Sequence, residues 1–475
     1  MHFPELKWHY IPLLFLIPAS ISFLLNPLTN DARIYQGVAR LTDYFGSFPS
    51  NINSAWEIKP IGNRGLNYIL YKFSSLFTQF GSWEYEILVK LCALAIVIGV
   101  CWYFSKNINN KYAFAVGCLS FITVLNFIAL QAEWWASLFA LLAIALFVED
   151  NKWCHYTTGV VITGIFLFKG ITIILVIPII CAAYLFTPEL KIWDVIRGGV
   201  GSVLSLGIIL TCGFFPNIIS DMLMSASIAR VGILSATTIV EMLSYNLIPA
   251  MTYTPIILPG IIAALCIYMH SLQDRNTKRL LILIIMWIST LAIVIIQSEF
   301  FAYHYVVLVV PAIVTILISN ENECKLAVIA TIIIFCIFSS HWSIGMEIEQ
   351  NFWEGKNIES VNIVNNFTDI TTQSSILYLD PGDAPYYFQS NSSCRYISPL
   401  IFQRNSEEWN TSGLKQYKEE FSCIMAYQGK YIVTDAGIWF EKNTTDNRKV
   451  WDMIHSNYTK VWNRSWNIYQ KIGSG

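Results

Sequence analysis

Acidic and basic residues gather in one polar stretch near the start of this chain. The stretch contains Asp31, Arg33 and Tyr35, followed by Lys59 and Arg64. A carboxylate can take a proton from an attacking hydroxyl group that lies within hydrogen-bond reach. Lysine and arginine suit a phosphate, the first as a point charge and the second as a planar fork. These residue types predict a site that activates a hydroxyl group beside a phosphate-bearing substrate.

Three further ionisable residues stand at the ends of apolar stretches. Glu133 precedes a pair of tryptophans, Lys169 lies between Phe168 and a glycine, and His304 follows a short aromatic run. Ionisable groups at membrane depth are costly and are functional candidates by default. Glu133 is therefore a second candidate acid, and Lys169 and His304 are candidate substrate ligands.

Each charged group also has a structural interpretation. Asp31 would be the N-terminal cap of an amphipathic helix that lies along the membrane interface. Lys59 and Arg64 would be interfacial anchors whose side chains reach the headgroup region. Glu133 would be a turn charge, and His304 would be a hydrogen-bonded structural group. The sequence by itself leaves both interpretations open.

The rest of the chain consists largely of long apolar stretches. Of its 475 residues 55% are hydrophobic and 13% are charged, whereas a typical soluble protein has about 25% charged residues. Windows of about 20 apolar residues predict a mainly α, polytopic membrane protein with about eleven transmembrane helices. They lie near 9–26, 83–105, 112–130, 134–148, 156–168, 171–187, 198–215, 255–270, 280–297, 303–319 and 324–340. The first is interpreted as a retained signal anchor.

Basic residues in the short connections orient these predicted helices. With the N-terminus in the cytoplasm, every short basic connection falls on the cytoplasmic side, as the positive-inside rule requires. These connections contain Lys106, Lys111, Lys152, Lys191, Arg197, Arg275, Lys278, Arg279 and Lys325. The exoplasmic side then holds the first loop, residues 27–82, with Glu133, Lys169, His304 and all residues after His341. A multi-pass protein of the cell membrane is therefore predicted.

The composition changes after residue 345, where the chain becomes polar, aromatic and rich in asparagine. Residues 375–379 and 431–434 predict buried strands, and residues 414–426 predict a helix between them. We therefore expect residues 1–345 to form a transmembrane core and residues 346–475 to form a small exoplasmic α/β domain.

Two further patterns suit an exoplasmic tail. Cys394 and Cys423 are expected to form a disulfide if the compartment is oxidising. The tail also contains every glycosylation sequon identified, which fits a glycoprotein. The six acceptors are Asn366, Asn391, Asn410, Asn443, Asn457 and Asn463.

Several classes of function are not indicated. A net charge of −2 gives no general basic surface for nucleic acid. The sequence contains no Gly-rich phosphate loop, nucleophile elbow, His-Glu-X-X-His motif or paired Cys-X-X-Cys motif, so a soluble nucleotide-binding domain is not indicated. No cofactor is predicted. A divalent metal stays open, but no motif indicates one.

Several of the candidate residues match motifs of a known family. The chain resembles the membrane-embedded GT-C glycosyltransferases over nearly its whole length, above all the branch of bacterial aminoarabinose transferases and protein O-mannosyltransferases. Asp31 corresponds to the acid after the family's first span, and Glu57-Ile58-Lys59-Pro60 resembles its Glu-X-Lys-Pro-Pro segment. Glu133 corresponds to an acid in a later outer loop. Phe168-Lys169-Gly170 resembles a Lys-Gly motif, and residues 300–305 resemble a His-Tyr-containing span.

The sequence differs at two positions from the motifs of GT-C enzymes. Ala32 stands where many relatives carry a second acid, which leaves Asp31 alone and does not indicate metal-assisted chemistry. Trp134-Trp135 lacks the following aspartate of oligosaccharyltransferases, which argues against that class of enzyme.

The resemblance implies an inverting glycosyltransferase of the exoplasmic membrane face. It would transfer a sugar from a polyprenyl-phosphate donor, such as a dolichyl phosphate, to a hydroxyl group of a lipid, glycan or protein. Asp31 would be the catalytic base and Glu133 a second acidic group of the site. Substrate and lipid phosphate would be bound by Arg33, Tyr35, Lys59, Arg64, Lys169 and His304. Two other functions stay open: a transporter or flippase for a lipid-linked sugar, and a GT-C-like scaffold that binds polyprenyl lipid without catalysis.

Overall fold

In the computed structural model the chain folds into two compact units. The first comprises Met1–Pro27, Ile87–Thr211 and Val231–Glu347, and the second comprises Leu28–Glu86, Cys212–Arg230 and Ile348–Gly475. Residues described by the structure are 11–45, 61–110, 112–124, 129–211, 251, 254–274, 277–297, 302–319, 354–367, 369–372, 376–379, 383–394, 415–435 and 445–473.

The described elements are mostly helices. The helices are α1 (Ile11–Leu25), α2 (Asn30–Phe45), α3 (Ile61–Ser75), α4 (Trp83–Ile108), α5 (Ala113–Ile122), α6 (Ala132–Val148), α7 (Lys152–Phe168), α8 (Val176–Phe186), α9 (Ile192–Thr211), α10 (Ile257–Asp274), α11 (Thr277–Gln297), α12 (Val309–Ile318), α13 (Asp369–Thr372), α14 (Ala384–Phe388), α15 (Lys415–Ala426) and α16 (Thr445–Asn457). The strands are β1 (Leu377–Tyr378), β2 (Tyr431–Asp435), β3 (Tyr458–Asn463) and β4 (Trp466–Lys471). Two 3₁₀ helices span Gly170–Leu175 and Ala302–Leu308.

The first unit contains the apolar helices. Three described helices are long and apolar enough to cross a membrane, over Trp83–Ile108, Ile192–Thr211 and Thr277–Ile296. Shorter apolar helical stretches cover Leu14–Leu25, Ala113–Ile122, Ala132–Val148, Gly170–Phe186, Ile257–His270 and Tyr303–Ile318. The count of about eleven spans stays a prediction, because these stretches are shorter and residues 212–250 and 320–353 lie outside the described part.

Helix α6 is largely buried in this unit. It packs against α7, α8 and both 3₁₀ helices. Trp134, Trp135 and Ala136 have no exposed surface, and no residue from Trp134 to Val148 carries a charge. The helix is apolar all round, as expected for a helix with neighbours on every side.

Helices α7 and α9 approach each other unusually closely through glycines. A Cβ atom added to Gly159 would lie 2.1 Å from the carbonyl oxygen of Gly198, and one added to Gly201 would lie 2.1 Å from that of Tyr156. Small residues permit this approach of two backbones, which is how many membrane helices pack.

Replacing Gly201 with alanine should therefore destabilise the helix pair. We expect a loss of about 1–3 kcal/mol, because the added methyl group meets backbone and cannot be accommodated by a side-chain rotation. Gly199 and Gly207 lie on the same helix with nothing within 4 Å of an added Cβ. Gly199→Ala and Gly207→Ala are thus matched controls, and thermal unfolding in detergent should show a lowered midpoint for Gly201→Ala alone.

The second unit contains a four-stranded sheet of order β1-β2-β4-β3. Strand β1 is parallel to β2, whereas β4 is antiparallel to both of its neighbours. The strands predicted near 375–379 and 431–434 are confirmed as β1 and β2, and the helix predicted between them is confirmed as α15. The hairpin of β3 and β4 was not predicted, because its polar and aromatic residues do not alternate regularly.

Helix α2 contributes to the core of this same unit. Val38 and Leu41 are buried and belong to one apolar cluster with Ile363, Tyr378 and Trp466. The predicted amphipathic helix is thus confirmed, and its apolar face packs against the C-terminal segment of the chain. Its place along the membrane interface stays a prediction.

A disulfide joins Cys394 to Cys423, which confirms the pairing expected from the sequence. Cys394 is buried in a second apolar cluster of the unit, and Cys423 packs against that cluster. The bond links the segment after β1 and α14 to helix α15.

Removing this disulfide should weaken the second unit. The two cysteines are 29 residues apart, so loop-closure entropy predicts a loss of about 3.6 kcal/mol in the Cys394→Ser/Cys423→Ser variant. Pulse proteolysis in urea, scored by cleavage within residues 348–475, measures this change. Cys92→Ser removes a free, partly buried cysteine of α4 and should leave the midpoint nearly unchanged.

Candidate functional site

Three residues that the sequence analysis selected separately meet in the first unit. The Nζ atom of Lys169 lies 2.5 Å from Oε1 of Glu133. Nε2 of His304 lies 3.5 Å from the same carboxylate oxygen and 3.4 Å from Lys169 Nζ. We call Glu133, Lys169 and His304 the charged triad.

Each member of the charged triad is placed by the end of a helix. Glu133 lies in the first turn of α6, where the helix dipole favours a negative charge. Lys169 is the C-cap residue of α7, in extended backbone conformation, and precedes the 3₁₀ helix at Gly170. His304 lies in the 3₁₀ helix Ala302–Leu308, which packs against α6. The three helix ends therefore meet at one end of the apolar helices.

The burial of the charged triad is uneven. Glu133 and His304 side chains are each 1% exposed, whereas the Lys169 side chain is 25% exposed. A buried carboxylate needs a paired charge or hydrogen bonds, which Lys169 and His304 supply. The exposed part of Lys169 is the surface through which this cluster can meet a substrate. An ammonium held in this way can neutralise a phosphate, and an adjacent carboxylate can orient it.

A second group of polar residues is buried in the other unit around Arg33. Its Nε atom donates a hydrogen bond of 3.0 Å to Oε1 of Glu86, and both side chains are almost fully buried. The hydroxyl of Tyr386 donates to the same oxygen at 2.8 Å, and the backbone N–H of Leu28 donates to Oε2 at 2.6 Å. Glu86 thus holds three segments of this unit together.

Only the Nε atom of the Arg33 guanidinium takes part in the contact with Glu86. Its Nη1 and Nη2 atoms are buried and have no hydrogen-bond partner within the described part of the chain. Burial lowers the pKa of Arg33, but the attraction of Glu86 and of Tyr387 and the hydrogen bond to Glu86 outweigh this, so its pKa is raised. The group is therefore a permanent buried cation with two donor nitrogens unfilled, an arrangement that can donate hydrogen bonds to the oxygens of a bound anion.

Asp31 lies in the first turn of α2 and is partly exposed. The expectation that it caps this helix is wrong, because the helix already begins at Asn30. The hydroxyl oxygen of Thr29 accepts a hydrogen bond of 3.3 Å from the backbone N–H of Ala32, which is the cap interaction. The carboxylate of Asp31 is therefore not required as the N-cap.

Two of the remaining candidate residues lie on α2 and α3. Tyr35 is buried on α2, and Arg64 is buried on α3. Lys59 lies outside the described residues. A buried chain of hydrogen bonds from Tyr85 through Gln36 to Asn67, with lengths of 2.6 Å and 2.8 Å, joins α2 to α3 and to the start of α4.

Sequence reasoning missed Glu86 and Tyr386. The only signal in the sequence was an acid in the first turn of an apolar helix, and its partner Arg33 lies 53 residues earlier.

Among the described residues no group of three His, Cys, Asp or Glu side chains is placed to hold a metal ion.

No family model and no curated protein matches this chain. Solved structures of the oligosaccharyltransferase of the archaeon Archaeoglobus fulgidus are similar to it. The form with Zn and sulfate has 11% sequence identity and a TM-score of 0.43, with 96% of this chain and 73% of that chain covered. The form with an inhibitory peptide and a dolichol-phosphate has 12% identity and a TM-score of 0.44, with 90% and 69% covered.

That enzyme is of the GT-C type, the superfamily that the sequence resembles. In this chain the tryptophan pair is followed by Ala136 and not by an aspartate.

Proposed function

We propose that this chain is a membrane glycosyltransferase that uses a polyprenyl-phosphate-linked sugar as its donor. The observation that carries the proposal is the charged triad of Glu133, Lys169 and His304. Three ionisable groups in a markedly apolar chain come within 3.5 Å of one another at helix ends. Burying such groups is costly, so a cluster of this kind in an apolar unit is a functional candidate by default.

The position of the charged triad favours a transferase over a transporter. A transporter typically places its binding groups at the middle of the membrane, on interrupted helices. Here all three residues lie at helix ends, and the interior of α6 carries no charge. This placement suits chemistry at a membrane surface, where a lipid phosphate would lie.

The proposed roles follow from the chemistry of each side chain. On the basis of the resemblance of the sequence, Asp31 takes the proton of the acceptor hydroxyl group as its oxygen attacks the anomeric carbon of the sugar. The bond between that carbon and the phosphate oxygen breaks from the opposite face, and the polyprenyl phosphate leaves with the electron pair. Inversion at the anomeric carbon follows from this single displacement. In the first unit, Lys169 is the candidate cation for a lipid phosphate, and Glu133 orients Lys169.

Arg33 is proposed to bind oxygens of the substrate. Its Nη1 and Nη2 atoms form two parallel donors, which fit a phosphate or carboxylate in bidentate geometry. Lys59, Arg64, Tyr35 and His304 remain proposed substrate ligands on the basis of the resemblance.

The test is sugar transfer from a radiolabelled polyprenyl-phosphate sugar in membranes that contain the chain. Asp31→Asn should lower transfer by about 100-fold or more, because general-base catalysis contributes about 10²–10⁴-fold. Asp43→Asn is the matched control on the same helix, since Asp43 bonds Tyr68 and Lys72 at 2.9 Å.

The results separate the candidate functions. Transfer that survives in Asp31→Asn would remove Asp31 from the role of base. Movement of the labelled lipid across the membrane without transfer would indicate a flippase, and lipid binding without either activity would indicate a scaffold.

A further inference from the structure

A cavity of about 440 Å³ lies in the first unit at the end of the helices away from the charged triad. It is formed by the C-terminal ends of α4, α8 and α12 and by the start of α11. From His304 to Ile318 the chain follows a 3₁₀ helix and then α12, a path of roughly 25 Å. The charged triad lies at one end of this path, and the cavity lies at the other.

The cavity carries positive charge. Lys278 and Arg279 line it, and among the described lining residues none is an aspartate or a glutamate. Lys278 donates a hydrogen bond to the phenol oxygen of Tyr184, and its Nζ atom lies 4.8 Å from the centre of that ring. Arg279 donates from Nη2 to the carbonyl oxygen of Ile318, which uses one of its five N–H donors.

Both basic residues occupy an unfavourable position on their helix. Helix α11 begins at Thr277, so Lys278 and Arg279 lie in its first turn. The N-terminal end of a helix carries partial positive charge and favours anions there. Arg279 is compensated by the carbonyl at the end of α12, whereas Lys278 donates to a neutral phenol among the side chains that the structure describes. An anion in the cavity would relieve this repulsion.

The rest of the cavity lining is mixed. Ile108, Phe186, Ile282 and Leu317 form an apolar wall, and Asn109 and Asn110 add polar groups. A cavity with a cationic part and an apolar wall fits an amphiphile better than a free ion. The positive-inside pattern predicts that these helix ends face the cytoplasm, where anionic lipids are concentrated.

We propose that this cavity binds the phosphate of an anionic phospholipid, with Lys278 as its principal cation. The glycerol and the first acyl carbons lie against the apolar wall. This lipid site is separate from the proposed sugar transfer, and its test measures lipid binding and no catalytic activity.

The experiment uses the purified full chain in detergent and native mass spectrometry with added lipids. Phosphatidylglycerol should bind more tightly than phosphatidylcholine of the same acyl chains. Lys278→Gln should reduce binding of phosphatidylglycerol about five-fold, since one basic residue near an anionic surface contributes by that factor. Lys278→Arg should retain the preference because it retains the charge. The control Lys152→Gln removes an exposed lysine outside the cavity and should change nothing.

Each outcome decides the proposal. Equal binding of the two lipids would overturn it, as would a preference that Lys278→Gln leaves intact. Inorganic phosphate and glycerol 1-phosphate form the soluble arm of the experiment. If either displaces phosphatidylglycerol at a comparable concentration, the cavity binds a free phosphate and the lipid assignment is wrong.

Discussion

Replacing Glu133 with glutamine is expected to lower sugar transfer by about 100-fold or more. Glutamine keeps the shape of the side chain but removes the negative charge that lies 2.5 Å from Lys169 Nζ. The ammonium then loses the contact that orients it, and a displacement of about 1 Å near a reacting group can cost about 100-fold in rate. The measurement is transfer from a radiolabelled polyprenyl-phosphate sugar, normalised to the amount of folded protein.

A purely structural role of Glu133 predicts a different result. The Lys169 side chain is 25% exposed, so its ammonium can remain hydrated when Glu133 is replaced. We therefore expect Glu133→Gln to lower the free energy of unfolding by less than about 2 kcal/mol. Glu149→Gln is the matched control, since Glu149 is the C-cap of the same helix and bonds Tyr103. Transfer within two-fold of wild type in Glu133→Gln, with a clearly lowered unfolding midpoint, would make the charged triad a structural ion pair.

Replacing Glu86 with alanine is expected to destabilise the second unit by about 3–5 kcal/mol. The variant leaves the buried cation of Arg33 without its counter-ion, and breaking one partner of a buried ion pair has this cost. It also removes the acceptor for the hydroxyl of Tyr386 and for the backbone N–H of Leu28. Pulse proteolysis in urea, scored on fragments of residues 348–475, measures the change.

A double variant separates the ion pair from the other contacts of Glu86. In Arg33→Met/Glu86→Leu both charges are replaced by apolar groups, which is often close to neutral for a buried pair. We expect most of the stability to return, with a deficit that reflects the two donors left without an acceptor. Asp43→Ala breaks the exposed pair with Lys72 and should cost less than about 1 kcal/mol. If the double variant is as unstable as Glu86→Ala, the pair does not govern the stability of this unit.

Local sequence patterns were sufficient for several elements of the fold. Long apolar stretches predicted α4, α9 and α11, because a chain segment that is apolar throughout has little alternative to a buried or membrane-spanning helix. Strands β1 and β2 were visible as short apolar runs that end at turn residues. The β3–β4 hairpin was not, because its stability comes from pairing across strands and not from its own composition.

The candidate site also has a part that the sequence predicted and a part that it did not. The residue types and their positions at the ends of apolar stretches were enough to select Glu133, Lys169 and His304 one by one. They could not indicate that the three meet, because Glu133 is separated by 36 residues from Lys169 and Lys169 by 135 residues from His304.

Thus the sequence by itself determined which side chains are chemically unusual for so apolar a chain. Only the tertiary structure decided their partners. Packing of α6 against α7 and the 3₁₀ helix assembles the charged triad, and folding of α2 beside the start of α4 gives Arg33 the buried carboxylate of Glu86. The contacts of the charged triad and of Arg33 with Glu86 are long-range, and no local propensity encodes them. The cap of α2 is different, because Thr29 and Ala32 are only three residues apart.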